Sequence, residues 1–301
     1  METKSELKNP KSSSRLWGTG FALGSMFSSQ LGAAAAVPLM LAQGSFVVSA
    51  LRLSFAALFS LILFRPNVRR FSPRQWRGAV ALGVIMALTT LCYFMAVAKI
   101  PVGAAITIDY LGPLGLAIFS LKGWPRLLLP VLAIGGVVAM SYSGHGWLFA
   151  PSGALFALVA ALGWAGYIIF MRHVGQLFSG QDGLCLSLVI ASVTALPIAL
   201  IFEPTEHWFS NLPIIVGLAL LFPLIPYALE LLALRRVDMG IFSILMSLEP
   251  AIGALLGFVV LHQTLSIQQS VGVLAVMAAS MVAVTLSPAA PQESAESAQQ
   301  A

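Results

Sequence analysis

Ten apolar runs, each close to the roughly 20 residues a helix needs to cross about 30 Å of hydrocarbon, fill this chain between residues 16 and 286. They predict helical spans at 16–36, 44–64, 76–98, 101–120, 125–142, 152–171, 182–202, 212–234, 239–260 and 265–286. Turn and breaker residues separate the runs, among them Pro38 and Gly44, Pro66 and Pro73, Pro101, Gly123, Pro151, Gly180 and Pro204. The fold class that follows is an all-α membrane protein with ten transmembrane helices.

The basic residues test this division. Four precede the first span (Lys4, Lys8, Lys11, Arg15) and five lie between spans two and three (Arg65, Arg69, Arg70, Arg74, Arg77). Two more follow span four (Lys122, Arg126), one follows span six (Arg172) and two follow span eight (Arg235, Arg236). The alternate connections hold Lys99 alone, and Arg52 is the remaining cation. Positive residues collect on the cytoplasmic side of a membrane protein, so both termini are expected there.

Ten spans divide into two sets of five, and an odd number per set turns the second set upside down relative to the first. At an offset of 137, Ala96, Gly103, Leu111, Pro113 and Ala117 fall on Ala233, Gly240, Leu248, Pro250 and Ala254, and Lys99 falls on Arg236. Inverted repeats of this kind build secondary transporters, with the substrate near the midplane where the halves meet. The expected units are a cytoplasmic tail (1–15), a first repeat (16–142), a second repeat (152–286) and a tail at 287–301 with nothing apolar to bury, read as disordered. Span one ends in Gly32-Ala33-Ala34-Ala35-Ala36, which imitates a cleavable signal. It is read as retained, because the repeat requires it.

Composition sharpens the picture. With 58% hydrophobic and 9% charged residues among 301, against about 25% charged in soluble domains, the lipid bilayer must solvate the chain. The +5 net charge sits in orientation clusters rather than in a nucleic-acid footprint. Cys92 and Cys185 lie in apolar runs, and the four histidines are scattered. No metal site or cofactor is expected. The sequence contains no Walker loop, no H-E-x-x-H and no plausible nucleophile set at membrane depth, which argues against an ATP-driven pump or an enzyme.

An ionised side chain in mid-span is costly and faces protein or water. Arg52, Asp109 and Glu249 are such residues. Arg52 has two readings: a fork of donors for a substrate carboxylate, or a buried pair with Asp109 or Glu249. The two acids stand three residues apart in the repeat register, on one face of one repeated motif. Desolvation and a neighbouring guanidinium act on such a carboxyl group in opposite directions, which suits it to carry a coupling proton or to meet a substrate ammonium. The alternative is a fixed carboxylate that neutralises Arg52. Pro113 and Pro250 follow the acids within four residues and predict a kink beside each. Pro223 and Pro226 predict another, with Tyr227 pointing a hydroxyl into a central cavity. Trp164, alone among the tryptophans in mid-span, either lines that cavity or packs against helix or lipid. Glu230 is expected to pair with Arg235 or Arg236 at the interface. Gly20 with Gly24, and Gly253 with Gly257, read as close helix contacts.

The strings Ala50-Leu51-Arg52-Leu53, Asp109-Tyr110-Leu111-Gly112-Pro113-Leu114, Pro226-Tyr227-Ala228-Leu229-Glu230 and Leu245-Met246-Ser247-Leu248-Glu249-Pro250-Ala251 resemble the EamA-domain branch of the drug/metabolite transporter superfamily. The resemblance runs over residues 16 to 287. It implies a ten-helix inverted-repeat fold in the inner (plasma) membrane and a central cavity. It also implies export of small metabolites, amino acids such as threonine or homoserine, in exchange for protons. Asp109 departs from the Glu expected there, and His262-Gln263 from the usual Gly-Glu. The substrate site expected from the residues themselves combines Arg52, Asp109, Tyr110, Trp164, Tyr227 and Glu249, with Asp109 and Glu249 as candidate proton carriers. Rival readings are a multidrug or nucleoside exporter of the same fold, a passive channel and a membrane-embedded enzyme.

Overall fold

A computed structural model describes residues 10–119, 121–143, 146–147, 150–178, 181–203, 208–234, 236–237 and 239–286. The tail at 287–301 lies outside the described residues. Thirteen helices carry the described chain. Five segments form the first half: α1 (Pro10–Gln43), α2 (Ser45–Phe64), α3 (Pro73–Val97), the pair α4 (Val102–Asp109) and α5 (Leu111–Phe119), and α6 (Pro125–Ser141). Five segments also form the second half. It has α7 (Pro151–Leu177), α8 (Asp182–Phe202), the pair α9 (Leu212–Ala219) and α10 (Ile225–Leu234), the pair α11 (Met239–Met246) and α12 (Glu249–Leu261), and α13 (Ile267–Leu286). A two-residue antiparallel ribbon, Tyr142–Ser143 with Gly146–Trp147, joins the halves.

Among the described residues nine helical segments are long and apolar enough to cross a membrane, and α6, at 17 residues, is a shorter apolar helix. The chain is a multi-pass membrane protein. Its outer face is greasy: Leu162 is 75% exposed and Ile201 75%, which in water would be an aggregation surface but in lipid is the ordinary solvent contact.

Helix ends follow from local chemistry. Ser72 caps α3 by accepting from the Gln75 amide while the Gln75 side chain accepts from the Ser72 amide, and Pro73 starts the helix, a reciprocal arrangement that satisfies two otherwise open donors. At α2, Gly44 turns the chain with φ 100°, which only glycine adopts without strain. Glu203, at the end of α8, supplies the missing cap: its carboxylate accepts from the Phe46 amide at 3.1 Å and the Val47 amide at 2.7 Å.

The expected kinks are present. The fourth segment breaks at Tyr110, directly after Asp109, and the ninth breaks at Ser247-Leu248, directly before Glu249. The eighth passes through a π-helical stretch, Leu220–Leu224, in which Phe222 is extended (φ −156°, ψ 123°).

The helix contacts map onto themselves when the halves are exchanged. α3 packs on α7 as α1 packs on α10, α4 and α5 pack on α7 as α12 packs on α1, and α3 meets α8 as α2 meets α9. α2 with α8 and α6 with α13 are each their own counterparts, and the fourth and ninth segments meet through α4 and α12. Backbone approach is closest where glycine permits it. A Cβ on Gly103 would lie 2.7 Å from Ala254 Cα, and one on Gly253 would lie 2.6 Å from Ile106 Cγ2, so α4 and α12 touch through small residues. Gly257 also faces α4, but Gly24 meets only the Leu229 side chain and Gly20 meets nothing within 4 Å. Among the described residues, the close contact expected of Gly20 is therefore absent.

Candidate functional site

A cavity of about 510 Å³ lies between the halves. It is lined from α1 by Gln30, from α3 by Thr89, Tyr93 and Phe94, and from the fourth segment by Asp109 and Tyr110. The second half contributes Trp164 and Tyr167, Phe222, Tyr227 and Glu230, Met246 and Glu249, and Ser280. Five of the six residues singled out from sequence, Asp109, Tyr110, Trp164, Tyr227 and Glu249, thus share one cavity.

The broken helices place the acids. Pro113 and Pro250 lack the amide hydrogens that would bond the carbonyls four residues back, so each helix loosens beside its carboxyl group. Asp109 and Glu249 are both buried, and among the described residues Asp109 Oδ1 and Glu249 Oε2 have no hydrogen-bond partner. The other Glu249 oxygen accepts from Gln30 Nε2 at 3.1 Å, and Gln30 Oε1 accepts from the Tyr93 hydroxyl at 3.3 Å. Gly253, one turn beyond Glu249, leaves room for Gln30: a Cβ there would sit 3.1 Å from Gln30 Oε1.

Aromatic rings form the walls. Tyr110 and Trp164 meet edge to face with centroids 5.6 Å apart, and Tyr167 stacks on Tyr227 at 6.1 Å and 22°. Such rings offer apolar faces beside polar edges.

Arg52 stands elsewhere. It is 1% exposed and lies outside the lining. Its Nη2 donates to the Phe222 carbonyl at 3.1 Å, and its Cζ lies 4.2 Å from the Phe94 ring centroid and 5.3 Å from that of Phe222. These two rings line the cavity, so Arg52 sits behind its wall. The reason is local. Pro226 has no amide hydrogen for the carbonyl of Phe222, and Arg52 takes the orphaned acceptor. Ser28 does the same for Leu221, donating to its carbonyl at 2.8 Å. Neither reading of Arg52 from sequence, as a substrate anchor or as an ion pair with Asp109 or Glu249, describes this geometry.

Glu230 also departs from expectation. It accepts from Ser25 Oγ at 3.0 Å and lines the cavity, whereas Arg236 donates to the Leu232 carbonyl and lies over Phe21. Arg235 lies outside the described residues.

Residues 151–285 match the model of the EamA-like transporter family. The chain is 31% identical over 258 residues to a threonine/homoserine exporter, RhtA, of Salmonella typhimurium, covering 85% of this chain and 87% of that protein. It is 31% identical over 259 residues to the RhtA of Escherichia coli K12, with the same coverage. The chain belongs to the EamA-like transporter family. A solved crystal structure superposes with a TM-score of 0.58 over 92% of this chain and 98% of the other, at 21% identity, which speaks for the fold.

This EamA protein is a membrane transporter and not an enzyme. Among the polar lining residues that sequence reasoning did not place in the site are Gln30 and Glu230. Gln30 carried a signal, being a long amide in the middle of an apolar span. Glu230 did not, because arginines follow it within two turns and gave it a plausible partner.

Proposed function

We propose that the chain is a secondary active exporter of small amino acids of the threonine and homoserine class, working by alternating access in exchange for protons. The observation that carries this reading is the pair of buried carboxyl groups, Asp109 and Glu249, brought to one cavity by related helix breaks and each left with an open oxygen. An open carboxylate oxygen can hold a proton or a substrate ammonium, and not both. Arrival of a proton from outside then releases the substrate there, and loss of that proton inward resets the carrier. Gln30 orients Glu249 for either partner. The relatives named as threonine/homoserine exporters support the substrate class.

The architecture proposed with it is ten spans in two inverted repeats, 16–142 and 152–286, with both termini on the cytoplasmic side of the inner membrane. Support comes from the alternating basic connections and from the self-mapping of helix contacts. The 17 residues of α6 give a helix of about 25 Å, at the short end of what spans a bilayer.

A second reading, export of a larger aromatic solute such as a drug or nucleoside, is favoured by the stacked rings and by a volume inside the roughly 300–1,000 Å³ of drug-sized sites. Counterflow of labelled threonine in proteoliposomes, with homoserine, other amino acids and nucleosides as competitors, separates the two. Under an imposed pH gradient, threonine or homoserine should move and Glu249→Gln should lose the gradient response. A Glu249→Gln protein that still follows the gradient removes Glu249 from coupling.

A further inference from the structure

A second concavity lies on the outside of the helix bundle, where the end of α2 faces the π-helical stretch. It is a groove of about 490 Å³ walled by Phe59, Ile62 and Leu63 of α2 and by Leu220 and Leu224, with Arg65 at its end. Its walls are apolar and open outward: Ile62 is 59% exposed and Leu63 67%. On a membrane protein such a surface is covered by acyl chain. The groove is therefore tail-shaped along one side and basic at one end.

Arg65 makes a local bond at the groove's rim. It terminates α2 in the left-handed region (φ 46°), and its Nε donates to the Ile62 carbonyl at 3.3 Å. The Nε bond ties the guanidinium to a wall residue of the groove, and an arginine fork grips a phosphate through two parallel donors. Arg65 also opens a connection, residues 65–77, with five arginines, all exposed, and no acid. A zwitterionic headgroup brings its own cation to that field, whereas a net negative one does not. Trp76, at the start of α3 and 37% exposed, marks the same end as an interface.

We infer that this groove is a binding site for an anionic phospholipid, its phosphate held by Arg65 and one acyl chain laid between α2 and the Leu220–Leu224 stretch. The site is independent of the transported substrate. It touches the transport machinery at one point, because Leu220 and Leu224 flank Phe222, whose ring lines the cavity and whose carbonyl holds Arg52.

The test is native mass spectrometry of the full chain, delipidated in detergent and titrated with phosphatidylglycerol or phosphatidylcholine. Phosphatidylglycerol should be retained and phosphatidylcholine lost. Arg65→Gln should weaken retention about tenfold, the loss expected for one charge-assisted phosphate contact. Leu224→Trp, which fills the groove while leaving every arginine in place, should weaken it as much. Arg126→Gln, on a different basic connection, should change it by less than about twofold, as for a loose surface charge. Free glycerol phosphate should not displace the lipid. Equal retention of both lipids, equal loss in Arg126→Gln and Arg65→Gln, unchanged retention in Leu224→Trp, or displacement by glycerol phosphate would each overturn the assignment. Melting of each variant in lipid-free detergent is checked first. Ile62→Trp, on the opposite wall, replaces Leu224→Trp if the latter melts early.

Discussion

Gly112 and Gly115 stand one turn apart on α5, and the same substitution at each should have opposite effects. A Cβ on Gly112 would land on the Ala161 carbonyl oxygen of α7, 2.9 Å from its carbon and 3.2 Å from Ala165 N. All three are backbone atoms, so no side chain can swing aside and the helices must part by about 1 Å. Overpacking of that kind costs about 1–3 kcal/mol, and with no yielding neighbour the upper end applies. Replacing a helical glycine by alanine returns up to about 1 kcal/mol of helix propensity. The net expectation for Gly112→Ala is a loss of about 2 kcal/mol. Gly115→Ala meets nothing within 4 Å and should be neutral or stabilising by up to about 1 kcal/mol. At the roughly 2–4 °C per kcal/mol of a large domain, the two variants should melt about 4–12 °C apart in detergent. Gly112→Ala should also disturb the Tyr110–Trp164 pair, and with it Trp164 fluorescence, because α5 and α7 hold those rings at 5.6 Å. Equal melting of the two variants would refute the claim that the α5–α7 crossing is set by backbone contact at Gly112.

Further substitutions at Glu203, Gly44 and Gln30 probe the polar supports. Glu203→Ala removes both acceptors at the start of α2 and should cost about 1–2 kcal/mol, the range for losing a helix cap, with Glu203→Gln milder. Gly44→Ala should be worse than either, since it forces a side chain both into φ 100° and onto the Glu203 carboxylate; thermal melts rank the three. Gln30→Leu strands Glu249 Oε1 and the Tyr93 hydroxyl and should cost about 1–3 kcal/mol. It should also alter the response of threonine counterflow to a pH gradient. An unchanged response would leave Gln30 a packing residue.

The helical segments were legible because crossing a bilayer fixes a length and an apolar composition, and the kinks because proline removes a particular donor. What the sequence did not yield were the partners. Arg52 and Phe222 are 170 residues apart, and Gln30 and Glu249 are 219 apart. Charge counting offered Arg52 a substrate carboxylate or a neighbouring acid, since opposite charges are the obvious way to bury a cation. The sequence did contain the competing acceptor, the carbonyl that Pro226 leaves open. Nothing in its pattern said that α2 would lie against that point. Glu230 was misplaced for the same reason, its nearby arginines in sequence outweighing a Ser25 that only folding brings close.

Arg52 therefore poses the sharpest energetic question in the molecule. A buried cation without a carboxylate costs several kcal/mol in desolvation. Here one carbonyl bond and two ring faces offset it, while Nε and Nη1 remain unpartnered. A charge-assisted bond contributes about 1.5–3 kcal/mol, and a desolvated cation–π contact about 2 or more. The sum is comparable to the penalty, so deleting the charge altogether should be nearly free. Arg52→Met fills similar volume, removes the desolvation cost and strands one carbonyl, and its stability should stay within about 2 kcal/mol of the parent. Arg52→Lys keeps the charge but loses the planar face that lies on Phe94. It should be the less stable variant by about 2 kcal/mol or more, because an ammonium is more strongly hydrated and cannot stack. Melting both in detergent orders them. If Arg52→Lys is the more stable, positive charge itself is what this position requires, and the ring stacking assigned to the guanidinium is incidental.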